Sequence, residues 1–153
     1  MGLAAACFSP SGAAQGGIGL AEAPSALKNA AGNYRLLVVC TADAAEDGIG
    51  DPPLMSAQYD SMQDNAAGYA DRDLVLVWLS PTSILSWQPV FRSRDKNWVT
   101  VLISSVEGDP AGLRPKTGCD EVTDEVTLIG KDTGVKRVWQ GLAPTEDVFA
   151  AID

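Results

Sequence analysis

The chain has 153 residues, 46% apolar and 20% charged, with a net charge of −9 and no histidine. That length holds one domain with a buried core, and the acidic balance argues against nucleic acid or an anionic membrane surface as partner. Without imidazole there is no neutral-pH general base of the usual kind and no histidine metal site, and no run approaches the roughly 20 apolar residues of a membrane-spanning helix.

Residues 1–33 contain ten alanines and six glycines, with Glu22 and Lys28 the only charges. Such a stretch has little to bury. We read 1–26 as a flexible tail or the remnant of a signal peptide, with small residues near Ala14 as a cleavage site. The basic n-region is missing and the apolar run is short, so the signal is incomplete. Ala5-Ala6-Cys7 has the end of a lipobox, but Ala4 stands where an aliphatic residue is normal. The expectation is export to the periplasm or outside the cell, with a cytoplasmic location left open. Residues 27–153 are expected to form the domain, with an insert at about 81–110.

Leu36-Leu37-Val38-Val39-Cys40 reads as a buried central strand. Asp51-Pro52-Pro53 is a helix start, a side-chain cap followed by proline. Leu54, Met55, Gln58, Tyr59, Met62, Ala66 and Tyr69 then recur at helical spacing, predicting an amphipathic helix that ends near Gly68. Leu74–Leu79 is a second apolar strand, so strand, helix and strand make a right-handed parallel βαβ unit. Beyond it, Pro81 and Pro89 predict irregular structure, and Trp98–Val106 alternates as an edge strand. Asp109-Pro110 opens a short helix that Pro115 truncates. Val126–Ile129 and Val135–Trp139 form a hairpin, with Gly134 as its left-handed residue. Pro144-Thr145 opens a last helix with Val148, Phe149 and Ile152 on one face.

That order resembles the thioredoxin-like plan, which implies an α/β fold: a mixed sheet of four strands plus an extra edge strand, helices on the faces. The resemblance sharpens at the C-terminus. Val126-Thr127-Leu128-Ile129-Gly130-Lys131-Asp132-Thr133-Gly134-Val135-Lys136 and Pro144-Thr145-Glu146-Asp147-Val148-Phe149-Ala150-Ala151-Ile152-Asp153 resemble a domain of unknown function, DUF4174, with its "GKDGG"-like turn and terminal "lf.lID". Arg35–Val39 and Ala70–Val75 look like that family's first half. The likeness covers about 27–80 and 111–153. It implies a peroxiredoxin-like fold, found in bacteria and often exported, with no established reaction. The chain departs from a working thioredoxin: the redox-cysteine positions fall near Ala44 and Asp47, no proline precedes Val126, and Pro115 spoils a covering helix.

Three readings of Cys40 and Cys119 stand side by side: a buried apolar residue and a loop thiol, a structural disulfide, or a redox pair with Cys119 resolving Cys40. The carboxylates near Cys40 would raise a thiol pKa and weigh against the third. Asp43, Glu46, Asp47 and Asp51 are weak metal candidates, because the loop fails the EF-hand pattern at Ala45 and Leu54. Trp87, Arg92, Arg94 and Trp98 are candidates for a partner-binding patch, set against a plain exposed turn. Gly16-Gly17-Ile18-Gly19 lacks the strand and lysine of a nucleotide loop. No cofactor is expected. The expectation is a non-catalytic domain, monomeric or weakly oligomeric, that binds a protein or envelope component; the alternative is a weak thiol oxidoreductase or peroxidase using Cys40 with Cys119.

Overall fold

The computed structural model describes residues 32–42, 52–80, 83–107 (backbone alone at 104–107) and 124–153. β1 (Arg35–Cys40) lies beside β2 (Leu74–Leu79) in parallel, from Arg35 opposite Leu74 to Cys40 opposite Leu79. Both strands are covered on both faces, which is why each reads as an unbroken apolar run. Leu36, Val38 and Cys40 share one face with Val75, Val77 and Leu79. Leu37 and Val39 share the other with Leu74, Leu76 and Trp78, as the two-residue period of a strand requires.

Three helices serve the second face: α1 (Pro53–Asp64), α2 (Ala66–Asp71) and α3 (Thr145–Ile152). Helices on both faces were expected; among the described residues all three lie on one. The first face is nonetheless buried, with Ile84 in its apolar cluster and Tyr34 packed against it. The single helix expected up to Gly68 is two. Asn65 leaves helical geometry at φ −127°, ψ 31°, and its amide donates to the Ser61 carbonyl (2.8 Å) and to Thr145 Oγ1 (3.2 Å). Gly68 does not end a helix either. It lies within α2, where an added Cβ would come 2.6 Å from the Phe149 ring, so its role is close approach of α3.

β3 (Ser83–Arg92) and β4 (Asn97–Glu107) form an antiparallel hairpin beyond β2. Irregular structure was expected around Pro89, yet Pro89 is within β3. It lies past Trp87, the last β3 residue with a β2 partner, so only β4 flanks it and a missing donor is tolerated as on an edge. β4 is the expected edge strand. β5 (Glu125–Ile129) pairs antiparallel with β1 on the other side and with β6 (Val135–Trp139), giving one sheet in the order β4-β3-β2-β1-β5-β6. Six strands replace the expected four plus one.

The β5–β6 turn also corrects an expectation. Its left-handed residue is Thr133 (φ 67°), not Gly134. Asp132 makes this possible: its Oδ1 accepts the Gly134 N–H (3.0 Å) and its Oδ2 binds Lys136 Nζ (2.6 Å), a local side-chain turn that replaces the glycine. Above the helical face, the Tyr69 hydroxyl is buried without a well-formed hydrogen bond, and burial pushes its pKa up to about 12, with the Gln58 amide pulling back only partly.

Candidate functional site

Cys40 ends β1 with no solvent exposure, opposite Leu79 on β2 and Glu125 on β5. Its sulfur is in a disulfide, so it is not the free apolar thiol of the first reading; Cys7 and Cys119 both lie outside the described residues. The strand end around it is tied down. Buried Thr41 accepts the Trp78 indole N–H at 2.9 Å, and the Ala42 N–H donates to Asp124 at 2.8 Å. Glu125, 5% exposed, is the nearest carboxylate across the sheet in register. Cys40 is thus sealed from solvent with a carboxylate residue, not a cation, opposite it in the ladder, unlike the surroundings of a reactive thiol.

The loop carrying Asp43, Glu46, Asp47 and Asp51 lies outside the described residues. Among the described residues, no group of three or more cysteines and carboxylates is gathered as a metal ion requires.

The hairpin places the aromatic candidates at two separate points. Trp87 is half-buried against the helical face, its ring edge-on to Tyr59 at 5.5 Å. Trp98 sits opposite Phe91 near the hairpin end, rings 5.3 Å apart. Arg92 and Arg94 both reach Asp95 in the turn, the second at 3.6 Å. The basic cluster is therefore partly self-neutralised. The apolar exposure is the larger feature: Val90, Phe91, Val101, Leu102 and Ile103 are all more than a third exposed. A bulge leaves Ile103 without a β3 partner, and it extends the exposed apolar run Val101-Leu102-Ile103.

A second site was not legible in the sequence. At the other side of the sheet, a cavity of about 300 Å³ is lined by Arg35, Leu128, Gly130, Lys131, Asp132, Lys136, Ala151 and Ile152. The two stretches that carry the family resemblance meet here. Lys131 pairs with Asp73 (2.7 Å) and Lys136 with Asp132 (2.6 Å). Arg72 clamps Asp153 with two bonds (Nε to Oδ1 3.0 Å, Nη2 to Oδ2 2.7 Å) and lies 3.8 Å over the Phe149 ring. The Arg72 bond holds the Asp153 carboxyl below its ordinary range, and the Lys136 bond does the same for Asp132. Because both folded values are depressed, the stability these pairs add is complete above about pH 5, where the unfolded carboxylates are already ionised. It is lost as pH falls through the folded values. Thermal melts should show Asp132→Asn and Asp153→Asn less stable than the parent at neutral pH and converging on it in acid; a gap that persists in acid would contradict the assignment.

The architecture is thus that of a mixed α/β domain on a six-stranded sheet, with a buried disulfide cysteine and a cation-lined cavity among the described residues. The family model described as Domain of unknown function (DUF4174) matches residues 26–153, a range that includes the β3–β4 hairpin. The chain belongs to that family. Neither the curated proteins nor the solved structures provide a match. Among the described residues no helix is long and apolar enough to cross a membrane.

Proposed function

We propose that this chain is an exported, thioredoxin-like domain that binds a protein or envelope partner and has given up redox catalysis. Support for the scaffold comes from the order β2-β1-β5-β6, with β1 and β2 parallel and β5 antiparallel to β1; the β3–β4 hairpin is an addition beyond β2. The observation that carries the functional half is Cys40, fully buried and already bonded. A nucleophilic thiol must be reachable, and this one has no solvent exposure. Its bond is read as a staple of the kind favoured in oxidising compartments, which accords with the partial signal sequence. Cys119 is the proposed partner, since it stands six residues ahead of Glu125, the residue across from Cys40. The partner surface is the distal β3–β4 hairpin, where an edge strand with exposed Val101, Leu102 and Ile103 can accept an extended segment by strand addition.

The competing reading, a weak thiol oxidoreductase or peroxidase using Cys40 and Cys119, is tested directly. Purified protein, oxidised or pre-reduced, is assayed for turnover with a peptide disulfide, a dithiol and a peroxide. We expect no multiple turnover and the same background with Cys40→Ser. Turnover in the parent that disappears in Cys40→Ser would replace the binding reading with the catalytic one.

A further inference from the structure

We propose that the cavity beside the β5–β6 turn binds a small carboxylate bearing an apolar tail. It lies near the opposite edge of the sheet from the β3–β4 hairpin, so it is a site distinct from the partner surface. Three of its lining side chains are cations and one is a carboxylate. That carboxylate, Asp132, has both oxygens in use, one on the Gly134 N–H and the other on Lys136. Asp153 nearby spends both oxygens on Arg72. Each of these carboxylate oxygens already has a donor, so the lining groups with the most unmet hydrogen-bonding capacity are the cations.

Arg35 is the centre of that surplus. Arg35 is half-buried and its guanidinium makes one side-chain hydrogen bond, from Nη1 to the Arg72 carbonyl at 2.7 Å. Among the described residues no carboxylate lies within ion-pair distance of it, although its charge reaches Asp153, whose side-chain oxygens are bonded to Arg72. A guanidinium has five N–H donors in a planar fork that matches a carboxylate, so most of the capacity of this cavity-lining side chain is unspent. The Lys131 and Lys136 ammoniums flank it, each holding one carboxylate and each with further donors. The remaining wall is apolar: buried Leu128, with Ala151 and Ile152 from α3. Donors on one side and hydrocarbon on the other suit an amphipathic anion. The volume is at the small end of ligand pockets, which selects a small molecule over a polymer.

The glycine at 130 belongs to this design. A Cβ there would collide with the Lys136 side chain and come 2.9 Å from Asp132 Oδ1, displacing the ammonium from its place beside the cavity.

The test is a titration of the full-length protein with sodium hexanoate, followed by the amide resonances of Gly130 and Gly134 and by thermal shift, with hexanamide and inorganic phosphate as comparison probes. Saturable shifts with hexanoate are expected at about millimolar concentration. Hexanamide lacks the charge and phosphate lacks the tail, and each is expected to bind at least about tenfold more weakly. Arg35→Gln should weaken hexanoate about tenfold and Lys136→Met severalfold, whereas Lys96→Gln in the β3–β4 turn should leave hexanoate binding unchanged. No saturable shift, equal binding of hexanamide or phosphate, or unchanged binding in the variants overturns the proposal. Lys136 is exposed, so Lys136→Met keeps the test decisive even if Arg35→Gln does not fold.

Discussion

Replacing Cys40 by alanine is expected to lower the unfolding free energy by about 2–5 kcal/mol, the usual cost of losing a native disulfide. Part of any such loss is packing, since Cys40 is fully buried among Val38, Val77, Leu79 and Ile84 and a smaller side chain leaves a void. Reduction separates the two contributions. The reduced parent keeps its sulfur and loses only the cross-link, so urea denaturation of the parent with and without a dithiol isolates the bond. The same experiment identifies the partner. Of Cys7→Ala and Cys119→Ala, the one that removes the true partner should reproduce the reduced parent's stability and add little on top of Cys40→Ala, because two changes that break one bond are not independent. Cys119 is expected. A reduced parent as stable as the oxidised one would mean that the bond is no staple and would reopen the redox reading.

What the sequence disclosed, and what it hid, follows from how each element is buried. β1 and β2 were legible because both faces of each are covered, so their apolar runs have no polar interruptions. β4 showed through its alternation. β3 did not: Ser83, Ser86 and Gln88 alternate with apolar residues over only part of its length, and Pro89 argues against a strand by a rule that holds for central positions and lapses where β2 pairing has ended. The break between α1 and α2 was invisible because Met62, Ala66 and Tyr69 keep helical spacing straight through Asn65. In the β5–β6 turn, glycine was the obvious left-handed candidate, but Asp132 stabilises that conformation at Thr133 instead. Cysteines and tryptophans advertise themselves in a sequence. The cavity does not, since Arg35 stands far from Lys131 and Lys136 in the chain and only the β1–β5 pairing brings them together. The sheet also separated two residues that proximity in sequence had joined: Trp87 faces Tyr59, and Trp98 faces Phe91.

Gln58→Leu is expected to cost about 2–4 kcal/mol, although leucine is the more hydrophobic residue and a good helix former. Gln58 has no solvent exposure and forms a closed pair with the backbone of Ala143: Nε2 donates to the Ala143 carbonyl and Oε1 accepts the Ala143 N–H, both at 3.0 Å. Ala143 is itself fully buried, so leucine would strand one donor and one acceptor where water does not reach, and an unsatisfied buried polar group costs more than the added apolar area returns. The pair latches α1 to the segment that launches α3, and α3 supplies Ala151 and Ile152 to the cavity; loss of the latch should weaken hexanoate binding along with stability. Gln58→Glu sharpens the test. A protonated carboxyl can copy the amide, donating its O–H to the Ala143 carbonyl and accepting the N–H, whereas the carboxylate accepts only. Burial and that donated bond both favour the neutral form, so the folded pKa lies above the unfolded one. The stability of this variant is then fully present below the unfolded value, about pH 4, and drains away as pH rises through the folded value. Measured against the parent, Gln58→Glu should be close in mild acid and clearly weaker at neutral pH, the reverse of the pH trend expected for the Asp132 and Asp153 pairs. A Gln58→Glu deficit that does not change with pH would show that the amide is held by packing and that its pairing with Ala143 contributes little.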